Sequence, residues 1–77
     1  MTTEIACLED LVLGMTIHLL KSEDRYSILM AKNMTGKYAS EKFDTIEEAY
    51  EMFERLSKAV VIGLYSWEER KAMLEQG

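Results

Sequence analysis

The chain contains no proline, a single cysteine, a single histidine and only four glycines. Without proline there is no cis-prolyl turn and no polyproline linker. One cysteine, Cys7, excludes an intramolecular disulfide. With only His18 beside it, the sequence offers no Cys/His zinc site within one chain. Gly14, Gly36, Gly63 and Gly77 stand apart from one another, so no glycine-rich phosphate loop is present. Long apolar runs are missing as well. The longest, Ala59 to Leu64, falls far short of the roughly 20 residues a membrane span needs. The N-terminus lacks the basic region and cleavage pattern of a signal peptide. These absences point to a cytoplasmic protein with no metal, cofactor or small-molecule substrate and no membrane contact.

What is present is apolar and acidic. Hydrophobic residues make up 48% of a 77-residue chain, which suits one small domain, residues 1–77. A domain of this size buries only about 60–65% of its unfolded surface. Some Met, Leu, Val or Tyr side chains must therefore stay exposed, and a contiguous exposed patch marks a contact site. A homodimer or a protein partner is the expectation. The net charge is -5, which opposes a phosphate-tracking nucleic-acid binder. Residues 1–43 hold five Lys/Arg against six Asp/Glu, and residues 44–77 hold four against eight. The acidity belongs to the C-terminal half.

Along the chain, Ile5, Leu8, Leu11 and Val12 recur at spacings of three and four, with Thr2 or Thr3 as a cap and Gly14 as a stop. This pattern predicts a short amphipathic helix over residues 3–13. The competing reading is a strand from Leu11 to Leu20. Met15 to Lys21 alternates as a half-buried strand. Ser22 to Arg25 is a polar turn. Arg25 to Lys32 is a second strand, apolar on both faces through Leu29 and Ala31, and so central. Asn33-Met34-Thr35-Gly36 makes a hairpin loop, with Gly36 free to take positive φ. Lys37 to Phe43 is a third strand whose poor alternation calls for a bulge or an edge position.

Residues 45–62 form the main helix. Ile46, Ala49, Tyr50, Phe53, Leu56 and Val60 build its apolar face. Asp44 or Thr45 caps it, Glu47 and Glu48 suit its positive end, and Gly63 is its natural stop. Ser66-Trp67-Glu68-Glu69 is a capping box that opens a last helix, with Trp67, Arg70 and Leu74 on its inner side. The expected architecture is α+β: a three-stranded antiparallel meander packed against one long amphipathic helix. A short C-terminal helix and a short N-terminal helix pack at the ends.

Candidate chemistry is sparse. His18 has no nucleophile or orienting carboxylate placed beside it by the sequence. Cys7 sits among Glu4, Glu9 and Asp10, which disfavour a thiolate, so it reads as inert packing. Adjacent glutamates on a helix diverge by about 100° and do not form a carboxylate dyad. The sequence therefore reads as non-enzymatic. The residues that suit a partner are the ridge Glu47, Glu48, Glu51 and Glu54 and the loop residue Met34.

Two resemblances follow from these features. A strand meander leading into Phe43-Asp44-Thr45-x-Glu-Glu-Ala49 resembles the arm-DNA-binding domain of tyrosine recombinases, over about residues 25–58. The resemblance implies DNA contact through a basic sheet, for which this chain offers Arg25, Lys32, Lys37 and Lys42 beside an acidic helix. In size, acidity and order of elements the chain also resembles small phage-encoded inhibitors, including anti-CRISPR proteins. That implies an acidic surface standing in for nucleic acid. The leading expectation remains a small acidic protein-binding or regulatory module of phage or mobile-element type that self-associates.

Overall fold

A computed structural model describes residues 1–62 and 66–76, with side chains throughout these except at 59–62. The order is β1 (Thr3–Asp10), β2 (Met15–Lys21), β3 (Tyr26–Lys32), β4 (Tyr38–Phe43), α1 (Ile46–Ile62) and α2 (Trp67–Gln76). The four strands make one antiparallel sheet in sequence order, and both helices pack on the same face of it. The class is the α+β expected.

The count of strands is corrected from three to four, because the segment read as an N-terminal helix is β1. Its helical spacing was accidental. Ala6, Leu8 and Asp10 face the helices with a period of two, Ile5 sits at a bulge, and Leu11 and Val12 lie beyond the strand in the turn. The competing strand from Leu11 is also displaced: residues 11–14 are the turn, and β2 begins at Met15. β3 is central, as expected. β4 is an edge strand in unbroken register with β3, so its position and not a bulge accounts for its poor alternation. Tyr38 points to the open face and Phe43 to the core.

The core alternates along the strands. Met15, Ile17 and Leu19 of β2, Ile28 and Met30 of β3, and Ala39 and Phe43 of β4 all face the helices. α1 meets them with Ala49, Met52 and Leu56. Tyr50, expected on this apolar face, is instead half exposed, and Met52 takes the central place. Thr45 is the cap of α1. Its hydroxyl accepts from the Glu48 amide at 3.3 Å and donates to the Glu48 carboxylate. Ser66 and Glu69 close the same reciprocal box at the start of α2. The expected stop at Gly63 lies outside the described residues, and so does the Val60 side chain.

Arg70 is fully buried, at 0% exposure. Its Nη1 donates to Asp10 Oδ2 at 3.1 Å and lies 2.9 Å from the Met15 sulfur. This contact ties α2 to the end of β1 across 60 residues of sequence. Two charges withdrawn from water are costly, and removing one partner strands the other. Arg70→Met should therefore lower unfolding free energy by about 3–5 kcal/mol. Arg70→Met combined with Asp10→Asn should recover part of that loss. Urea unfolding of the three variants checks this. Additive losses in the double variant would contradict the pairing.

Candidate functional site

In an antiparallel meander the β1–β2 and β3–β4 turns share one end of the sheet. Here a hydrogen bond joins them directly: the Asn33 amide donates to the Gly14 carbonyl at 2.6 Å. The first turn is built by Asp10. Its Oδ1 accepts from the amides of Val12 at 2.9 Å and Leu13 at 3.1 Å, while its Oδ2 holds Arg70. Gly14 completes the turn at φ +64, a conformation that favours glycine.

Desolvation alone would raise the Asp10 pKa. The Leu13 amide, the Arg70 hydrogen bond, the Val12 amide and the Arg70 charge together outweigh it and hold the carboxyl below its ordinary value.

With its polar groups turned inward, the turn pushes its apolar side chains out. Leu11 is 82% exposed and Val12 is 94% exposed. Met34, in the neighbouring turn at φ +67, is fully exposed. The Thr35 hydroxyl bridges the base of that turn, donating to the Lys32 carbonyl and accepting from the Lys37 amide. Tyr38 is exposed just beyond it and borders an open cleft of about 450 Å³ with Trp67, Glu68 and Lys71. One end of the sheet thus carries Leu11, Val12, Met34 and Tyr38.

Met34 is where the sequence put it, exposed in a hairpin loop. Leu11 and Val12 belong to the β1–β2 turn and not to the helix that their spacing predicts. The signal that could have found them is Asp10 followed by Gly14, an acceptor and a left-handed residue bracketing a tight turn. The acidic residues Glu47, Glu48, Glu51 and Glu54 are all exposed on α1. Glu48 and Glu51 flank a shallow cleft with Phe43, Met52 and Arg55. Glu47 and Glu48 follow the far end of β4 from Met34, so the ridge and Met34 do not form one surface.

A second cluster lies on the open face of the sheet. Cys7 pairs directly with His18 across β1 and β2, and a register shift between Glu4 and Ala6 turns Glu4 to the same side. His18 Nδ1 and Glu4 Oε1 are 2.5 Å apart. His18 therefore does have a carboxylate partner, and Cys7 is exposed rather than packed inside a helix stripe. Local desolvation first, then the charges of Glu4 and Glu9 and a hydrogen bond to Glu4, push the Cys7 thiol up. That opposes the environment a nucleophilic cysteine needs. Glu4, Cys7 and His18 together place a carboxylate oxygen, a sulfur and an imidazole nitrogen within 4.8 Å of one another.

Comparison with family models, curated proteins and solved structures finds no match to this chain. No helix among the described residues is long and apolar enough to cross a membrane.

The depressed pKa of Asp10 makes the tip acid-sensitive. An unfolded aspartate titrates near about 3.9. Asp10 therefore contributes stability that is full above that pH and is lost as the pH falls through its lower folded value. Stability of Asp10→Asn should decline less steeply below pH about 4 than that of the unaltered chain. Equal slopes in denaturant titrations across that range would contradict the assignment.

Proposed function

We propose that this chain is a non-catalytic protein-binding module that self-associates through the apolar end of its sheet. The observation that carries the reading is the outward Leu11 and Val12, held by a buried hydrogen-bonded frame beside an exposed Met34. Exposed aliphatic side chains on a mobile loop lose entropy on binding. Side chains on a turn already fixed by Asp10 lose less, so more of the contact energy survives as affinity.

A second copy is the favoured occupant on charge grounds. The chain carries -5 overall, so most faces of two copies repel. At this end Arg70 pairs with Asp10, and Lys32, Lys37 and Lys71 stand against Glu9 and Glu68. Repulsion is least where the apolar side chains are. An exposed free Cys7 fits a reducing compartment, so a cytoplasmic setting belongs to the proposal.

A second reading rests on the four exposed glutamates of α1. Glu47, Glu48, Glu51 and Glu54 would present carboxylates to a basic protein, as in an inhibitor of phage or mobile-element type. The DNA-binding reading has less support. Lys32 and Lys37 flank one turn, whereas Lys42 lies five residues further along from Lys37, roughly 17 Å away on an extended strand.

Leu11→Asp with Val12→Asp should convert a dimer to a monomer in sedimentation equilibrium. The variant should keep its thermal midpoint at matched low concentration, since neither side chain is in the core. An unaltered chain that is monomeric at every concentration, or a dimer that survives the double substitution, would overturn self-association. Charge reversal at Glu47, Glu51 and Glu54 should leave the dimer intact. Loss of the dimer in that variant would shift the contact to the acidic ridge.

A further inference from the structure

The open face of the sheet holds three chemically different metal donors in one place. A carboxylate oxygen of Glu4, the Cys7 sulfur and an imidazole nitrogen of His18 all lie within 4.8 Å of one another. We propose that these residues bind a divalent zinc-class ion, with water in the fourth position.

The backbone arranges this set. In a regular strand, residues three apart point to opposite faces. The extra residue at Ile5 cancels that rule, so Glu4 opposite Leu20 and Cys7 opposite His18 share the uncovered side. His18 and Cys7 are cross-strand neighbours, a relation that brings Cβ atoms to about 4.5–5.5 Å. The donors come from two paired strands, so the frame is rigid while the Glu4 side chain is half exposed and free to adjust.

The donor types select the ion. Thiolate and imidazole favour zinc and its neighbours over magnesium or calcium, which take oxygen ligands. Tetrahedral bonds of about 2.3 Å to sulfur and 2.0–2.1 Å to nitrogen and oxygen set donors roughly 3.3–3.6 Å apart. To reach that, the 2.5 Å contact between His18 and Glu4 must open by about 1 Å. The ion then takes the place of the hydrogen bond between them: neutral His18 binds through Nδ1 with its ring proton on Nε2, and Glu4 binds as the carboxylate. The Cys7 thiol loses its proton to solvent as the sulfur–metal bond forms, and nothing is oxidised or reduced. The negative field of Glu4 and Glu9, which disfavours a bare thiolate, favours a cation at the same spot. Three protein ligands and an open position match the general form of sites that keep an exchangeable water.

The test uses the full chain, reduced and freed of metal, titrated with Co²⁺ and followed by absorption spectroscopy. A thiolate-to-cobalt charge-transfer band saturating at one equivalent per chain is expected, and Zn²⁺ should bleach it. Cys7→Ser should abolish the band. His18→Ala and Glu4→Ala should each weaken cobalt binding by at least about 100-fold, the upper end of what even outer-shell partners cost. Circular dichroism of each variant checks that it is folded. No band in the unaltered chain, saturation at half an equivalent, or a band unchanged in the His18 and Glu4 variants would overturn the three-residue site. Dimerisation is measured separately in the metal-free chain, so failure of one proposal does not touch the other.

Discussion

The ion pair between Asp10 and Arg70 is the constraint on which the shape of this molecule depends. A carboxylate offers two oxygens, and Asp10 uses both. One holds the guanidinium of α2, and the other holds two amides of the β1–β2 turn. A single side chain thus ends a strand, closes a hairpin and docks the last helix. Taking two charges out of water costs several kcal/mol each, and their attraction does not reliably repay it. The geometry they fix is therefore the more telling consequence. α2 is short and largely charged, with only Trp67, Arg70 and Leu74 buried. Apolar burial alone would leave its position weakly specified, and the charged contact gives it a register.

That constraint produces an inverted tip. Most hairpin turns put polar side chains outside. Here the polar groups of the turn are consumed inside it, and Leu11 and Val12 are left facing water. The sheet edges are protected in ordinary ways. β1 is broken by the bulge at Ile5, and β4 carries Glu41 and Lys42. Strand addition is thereby discouraged at both edges, while the end of the sheet stays apolar. The proposed self-association accordingly uses the end of the sheet and not its edges. The open face offers a different chemistry: the bulge that spoils β1 as a pairing edge also gathers Glu4, Cys7 and His18.

Much of the fold was legible in the sequence because its signals are local. The alternation of β2, the double-sided apolar character of β3 and the capping residues Thr45 and Ser66 all act within a few positions. Arg70 was placed on the inner side of α2, and the structure supplies the reason for a buried cation there. What was illegible is non-local. Nothing in the sequence links Asp10 to a residue 60 positions away. Residues 3–13 misled because a bulge and a turn interrupt the period of two, leaving apolar spacings that mimic a helix. The same bulge hid the meeting of Glu4 with His18, since Glu4 and Cys7, three apart on a regular strand, would face opposite sides and only Cys7 would share a side with His18.

Asp10 and Arg70 hold the apolar tip in a fixed form in the isolated chain. Amide hydrogen exchange at Val12 and Leu13 tests it most directly, because those amides donate to Asp10. In the unaltered chain at low concentration both should be protected well beyond an exposed loop. In Arg70→Met, under conditions where β2 and β3 remain protected, that protection should fall sharply. Free exchange at Val12 and Leu13 in the unaltered chain would contradict a preformed tip, and undiminished protection in Arg70→Met would contradict the role of the ion pair.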